Sequence, residues 1–268
     1  MASYLDRYRS GEREVVWDEL RALGEQIRDE KVLGDALAVA RETMSRARKN
    51  IERLIVRLDE IGYQFRSARS VVLRPRKNVN PFTGEPLSTT VEYYREPMVF
   101  LPPGPEVDEQ IAELERVAGP LPLSLRAWYE IVGEVNFMGS NPNWPGARDR
   151  PRVYPDPLVM HSVTGALEDY QTWFKNREHS LLDRFPAFRI WAPDYFTKEQ
   201  ISGAGYSIWL PNPAADALFE GERHGVPFVD YLRICFRWGG FPGFEFAQEL
   251  EGRSERDLAY LAEGLLPI

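Results

Sequence analysis

The stretch Ile111-Ala-Glu-Leu-Glu-Arg-Val-Ala-Gly119-Pro120-Leu-Pro122-Leu-Ser124-Leu-Arg-Ala-Trp128-Tyr129-Glu-Ile-Val132-Gly133 decides the fold of this chain. Ile111, Leu114 and Val117 recur at helical spacing, so one face of a short helix is apolar. Gly119-Pro120 ends that helix, because glycine accepts left-handed dihedrals and proline cannot continue the hydrogen-bond ladder. Pro122 suits the start of a second helix, with Ser124 as its expected cap, and Leu125, Trp128, Tyr129 and Val132 give that helix an apolar face. Gly133 stops it, and residues 135–139 are expected to be extended.

This helix-break-helix-strand phrase resembles the opening of a SUKH domain, carried by Ile111, Leu114-Glu115, Gly119, Leu121-Pro122, Leu125, Trp128-Tyr129 and Gly133. The resemblance covers roughly residues 107–244 and implies an α+β fold, a SUKH-like mixed sheet flanked by helices, without catalysis. Bacterial members of that superfamily include many immunity proteins that neutralise toxin domains, and fungal members act as regulatory scaffolds in cell-wall synthesis. The longer loops and the N-terminal part of this chain lie outside a minimal domain of that kind.

Outward from this unit, residues 14–30 read as a helix through Val16, Leu20, Leu23 and Ile27. Gly34 marks a turn and Asp35 a cap. A longer helix then runs to residue 61 with Leu37, Ala40, Met44, Ala47, Ile51, Leu54, Leu58 and Ile61 in three-four alternation. The expected arrangement is an antiparallel helical hairpin over residues 1–65, closely packed at Ala40 and Ala47. Residues 66–106 read as an extended clamp, with pieces at 68–73 and 89–94 around the turn formers Asn80-Pro81 and Thr83-Gly84, and a rigid Leu101-Pro-Pro-Gly-Pro105 spacer. Residues 107–268 form the α+β domain. In it, residues 158–161, 189–195 and 205–210 read as strands, and 165–177, 228–236 and 256–264 as helices. Leu167, Tyr170 and Phe174 are the expected buried stripe of the first of these helices, and Trp238, Phe241 and Phe244 an aromatic turn packed on the sheet.

The long helix also carries Arg41, Arg46, Arg48, Lys49, Arg53 and Arg57. Residues 1–70 are nonetheless almost neutral overall, so a solvated face crossed by local ion pairs is favoured over nucleic-acid binding, with an internal contact as the sharper alternative. The formal net charge of −8 argues the same way, since nucleic-acid binders are normally basic, and it suits a basic protein partner. One cysteine excludes an internal disulfide. No apolar run reaches the length of a membrane span, and a cytoplasmic protein is expected.

Signals for catalysis are weak. His161, His179, His224 and Cys235 show no metal-ligand spacing, His161-Ser162 is a mere sequence neighbour pair, and Cys235 reads as a small buried hydrophobe. Carboxylate pairs such as Asp216 and Glu220 are uninformative in so acidic a chain, and the glycine-rich segments lack the partners of a nucleotide loop. The expectation is a non-enzymatic protein-binding domain with no cofactor and no metal, foremost an immunity protein. A regulatory scaffold and an enzyme with an unrecognised site are the alternatives. The proline- and asparagine-rich loop 140–157 is the expected partner-binding element, through Trp144, Arg148, Arg150 and Tyr154, residue types that anchor interfaces. Trp144 and Tyr154 could equally pin the loop to the domain.

Overall fold

The computed structural model describes residues 2–66, 68–79, 86–95, 97–146, 148–149, 152–177, 187–247 and 252–268, with the backbone alone at 68–79, 86–95 and 176–177. Three helical elements precede the long helix: α1 (Tyr4–Ser10), α2 (Arg13–Ala22) and a 3-10 turn (Gly24–Arg28). The continuous helix expected over 14–30 is thus broken, because Gly24 turns to φ +54°. Ile27 stays fully buried across the break.

The long helix α3 (Glu30–Glu60) starts one turn earlier than expected and runs straight through Gly34. Asp35 does not cap it. Its carboxylate instead accepts the backbone N–H groups of Tyr4 (2.6 Å) and Leu5 (3.1 Å), so it holds the first turn of α1. Ala40, Met44, Ala47, Ile51, Leu54 and Leu58 are fully buried, as the seam predicts. Ala36, Val39, Thr43 and Asn50 are buried too, because α3 is covered on more than one side. Trp17 of α2 donates to Thr43 Oγ1 (3.1 Å), folding the N-terminal helices back along α3.

After α3 come β1 (Gln64–Phe65), the antiparallel pair β2 (Ala68–Val79) and β3 (Pro86–Arg95), and β4 (Phe100–Leu101). The turn formers at 80–81 and 83–84 lie outside the described residues. The deciding stretch folds as α4 (Val107–Ala118), a break at Gly119 with φ +85°, and α5 (Leu123–Ile131). Ser124 is inside α5 and does not cap it; its hydroxyl donates to Asp216 Oδ1 (2.7 Å). The expected single strand divides into β5 (Glu134–Asn136) and β6 (Gly139–Ser140), and β7 (Val159–Met160) follows the loop.

The rest comprises α6 (Val163–Arg177), β8 (Phe188–Ala192), a one-turn helix α7 (Tyr195–Lys198), β9 (Tyr206–Leu210), α8 (Phe228–Arg237), a 3-10 turn (Pro242–Phe246) and α9 (Arg253–Ala262). On α6, the expected stripe holds in part: Leu167 and Tyr170 are half-buried against the core, the Tyr170 ring edge-on to Phe188, whereas Phe174 is 49% exposed and Val163 and Ala166 are the fully packed positions. Residue 195 is not in a strand, because the Asp194 carboxylate accepts the Thr197 N–H (2.8 Å) and starts α7.

The protein is an α+β fold with a helical hairpin region at its N-terminus. Its sheet component is divided into four small antiparallel sheets among the described residues, β1–β6, β2–β3, β4–β5–β7 and β8–β9, rather than gathered in one mixed sheet. Strands of two or three residues cannot propagate a wide ladder, so side chains join the pieces. α3 packs against α1, α5 and α9, and one apolar cluster runs from Tyr8 to Ile268. Buried Asp216 ties three helices together: Arg21 of α2 donates to Oδ2 (2.9 Å), Ser124 of α5 to Oδ1, and the Val229 N–H of α8 to Oδ2 (3.3 Å).

The basic residues of α3 form internal contacts. Arg46, Arg53 and Arg57 donate to main-chain carbonyls of residues 261–267, and Asn50 pairs with both backbone groups of Leu266. Arg41 meets Glu130 (2.7 Å) and Arg48 meets Glu52 (2.9 Å). The helix is a spine to which the C-terminal segment is laced.

Candidate functional site

A cleft of about 570 Å³ opens where β1, β6, the 140–157 loop and the residues after α7 converge. Its polar side chains are Gln64, Arg66, Ser140, Arg148, Glu199 and Gln200. A narrower recess of about 60 Å³ at Tyr63, Asn141 and Trp144 shares the Gly139, Ser140, Gly146 and Glu199 walls.

β1 and β6 form one wall, and Gly139 is required there: a Cβ would stand 2.3 Å from the Gln64 carbonyl oxygen and 2.6 Å from the Tyr63 ring. Arg66 continues from β1, its N–H donating to the Met138 carbonyl (2.8 Å). The opposite wall is the end of α7. This short helix has little intrinsic stability, so its position depends on tertiary contacts. The Lys198 ammonium is buried and lies 2.5 Å from Asp156 Oδ1, and the Tyr206 hydroxyl donates to Asp156 Oδ2 (2.8 Å). Asp156 is held at φ +54°, a left-handed conformation that Asp tolerates better than most residues. Burial is the first cause of a raised Tyr206 pKa, and the nearby Asp156 charge adds to it.

Lys198 is anchored inward, and Glu199 beside it lines the cleft. Half-burial raises the Glu199 pKa above the ordinary carboxylate value; Arg66 opposes the shift and Asp156 reinforces it. Arg66 makes one weak contact, Nη1 to Met138 Sδ at 3.8 Å, and Arg148 is exposed. Neither arginine forms an ion pair among the described residues.

The loop residues expected to bind a partner divide. Trp144 is only 9% exposed; its ring packs on Tyr63, Phe241 and Phe244 at 5.7, 5.0 and 5.5 Å, and Nε1 donates to Asp257 Oδ2 (2.9 Å). Tyr154 is half-buried, edge-on to Tyr195 and Phe196 of α7. Both pin the loop, Trp144 onto the aromatic core and Tyr154 onto α7. Arg148 lines the cleft, and Arg150 lies outside the described residues. No family model, curated protein or solved structure matches this chain.

Sequence reasoning missed Gln64, Arg66, Glu199 and Gln200. The available signal was Asp194-Tyr-Phe-Thr197, a cap three residues ahead of a threonine amide, which sets a helical turn and aims the residues after it. Of the residues weighed for catalysis, Ser162 Oγ accepts the Gly165 N–H (3.3 Å) at the start of α6, and Cys235 is fully buried, its thiol pKa pushed up by that burial. Among the described residues, which exclude His179, no three His, Cys, Asp or Glu side chains are grouped to hold a metal ion. Among them, too, no helix is long and apolar enough to cross a membrane.

Chemically, the cleft offers two guanidinium groups, one half-buried carboxyl and two amides on supports fixed by buried contacts. Such a set can donate to carboxylate and carbonyl oxygens and exchange hydrogen bonds with amides.

Proposed function

We propose that this chain is a non-enzymatic protein-binding domain of the immunity type, which captures a toxin domain in the cytoplasm and does so at the cleft between β1, β6 and α7. The observation that carries the reading is the pair Arg66 and Arg148, two cations in a cleft without ion-pair partners among the described residues. The planar guanidinium fork matches a carboxylate or carbonyl acceptor on a partner, and neither group has an internal ion pair among the described residues to give up first. The α4-break-α5-strand unit that carries the resemblance to SUKH domains supports the same reading.

Two charge scales act in this proposal. The net charge of −8 steers a basic partner from beyond contact distance, which raises the association rate and weakens with salt. Contact within the cleft is made by the arginines to acidic or carbonyl groups of that partner, which governs dissociation. Salt therefore slows capture, whereas mutation of the cleft shortens its lifetime.

The test is affinity purification of the tagged full chain at low and moderate salt, beside the variant Arg66→Ser/Arg148→Ser, followed by co-expression with the captured toxin. The expected result is one stoichiometric toxin-bearing partner, retained by the wild type and lost by the variant, with growth rescue following the same order. Equal retention by a folded variant overturns the placement of the site, and failure to rescue growth overturns the immunity reading.

A further inference from the structure

On the side of the molecule formed by α2, α8, α9 and the final residues lies a second hollow, of about 400 Å³, within the size range of small-ligand pockets. Its inner wall is apolar: Phe236 and Ile268 are each only 5% exposed, and Leu265 packs beside them. Arg233, Arg237 and Glu14 make its polar rim. Arg233 is fully engaged, with Nε donating to the Ile268 carbonyl (2.9 Å), Nη1 to Asp230 Oδ1 (2.5 Å) and Nη2 to the Arg13 carbonyl (3.3 Å), so it serves as a wall. Arg237 at the end of α8 and Glu14 on α2 also line the hollow. Both are exposed, and among the described residues neither forms an ion pair, with the other or with any further group.

A hollow with an apolar wall, one available cation and one available anion complements a molecule carrying the same three features. An uncharged ligand would use neither rim charge, and a simple monoanion would face Glu14 unfavourably. We propose that this hollow binds a small zwitterion with an apolar body, of the α-amino acid class: its carboxylate on the Arg237 guanidinium, its ammonium on Glu14, and its side chain against Phe236 and Ile268. The arginine fork matches a carboxylate in two-point geometry, and an ammonium needs only a carboxylate within reach. The final residues form part of the wall and are laced to α3 through Asn50, so the hollow exists before the ligand arrives.

The experiment is ligand-observed NMR and calorimetry on the full chain, with L-leucine as probe at millimolar concentration. N-acetyl-leucine, which lacks the ammonium, and leucinamide, which lacks the carboxylate, are the matched controls. Each lost charged contact is expected to weaken binding about tenfold. Arg237→Gln should remove the preference for leucine over leucinamide, and Glu14→Gln the preference over N-acetyl-leucine. Both residues are exposed, so circular dichroism of both variants should match the wild type. No saturable binding of leucine overturns the proposal, as does equal binding of all three compounds or leucine binding unchanged in both variants. Because the hollow is remote from Arg66 and Arg148 in its lining residues, the Arg66→Ser/Arg148→Ser variant should bind leucine as the wild type does; loss there would also overturn the assignment.

Discussion

Replacing Asn50 by alanine is expected to loosen the C-terminal segment and lower global stability by about 2 kcal/mol. Asn50 is 1% exposed, and its amide bonds both main-chain groups of Leu266: Oδ1 accepts the Leu266 N–H at 2.7 Å, and Nδ2 donates to the Leu266 carbonyl at 2.9 Å. Each bond contributes about 1 kcal/mol net, and the truncated site leaves two main-chain groups to find water instead. For a chain of 268 residues, that loss lowers the melting midpoint by about 4–8 °C. Urea titration followed by circular dichroism should show a reduced midpoint with an unchanged slope. Amide exchange at Leu266 should accelerate by more than the global change explains, because the segment gains a local opening route. Asn50→Asp is the informative companion: it keeps the acceptor for the Leu266 N–H but sets a carboxylate oxygen against the Leu266 carbonyl. Its loss should therefore be at least as large at neutral pH, and smaller in acid where a protonated carboxyl donates. An Asn50→Ala midpoint within about 0.5 kcal/mol of the wild type, the scatter of ordinary surface changes, would refute the idea that this side chain holds the segment.

Lys198→Met should cost about 3–5 kcal/mol by urea denaturation, since it strands the buried Asp156 carboxylate, and Asp156→Asn combined with it should restore most of that loss. Glu199→Gln carries a pH signature. The folded state raises the Glu199 pKa, so the native carboxylate is disfavoured; wild-type stability falls as pH rises through that folded pKa, and the amide removes the fall. The variant should therefore gain on the wild type at neutral pH and not in acid, as thermal melts at both pH values will show. Gly133→Ala should destabilise by about 2 kcal/mol or more, because φ is +88° there and a Cβ would stand 2.3 Å from the Leu101 carbonyl oxygen; amide exchange in the β4–β5 pair should report it.

The α4-break-α5-strand unit was legible because its signals are local and agree: apolar residues at helical period, and glycines at 119 and 133 that do take positive φ. Legibility failed where a distant group settled the matter. Gly34 and Asp35 resemble a turn and cap, yet the Asp35 carboxylate is occupied by α1, about thirty positions earlier in the chain, and the helix runs on. Phe174 fits an apolar stripe by spacing, but the face of α6 that meets the core runs through Val163, Ala166, Leu167, Tyr170 and Trp173, the last two on the Phe188 ring, and leaves Phe174 half exposed. The cleft was half legible for the same reason. Arg148 and its loop stood out by composition, whereas Glu199 is one acidic residue among many, and its role arises only when positions 64–66 and 199–201 meet.

The arginines of α3 bear directly on where a partner can dock. From sequence they could have been a solvated face, a nucleic-acid surface or an internal contact. The structure commits most of them: Arg46, Arg53 and Arg57 to carbonyls of the C-terminal segment, Arg41 to Glu130 and Arg48 to Glu52. A phosphate backbone at this face would have to displace those contacts, and the Asn50 pairing lies in the same row. Arg66 and Arg148 are in the opposite position, with no ion pair among the described residues to break before an acceptor can reach them. A guanidinium already satisfied must give up a protein contact for a new acceptor, while one bound only by water gives up solvent and keeps the net charge-assisted gain. On the proposed reading, the spine arginines are left to support the fold, and contact with a partner falls to the cleft.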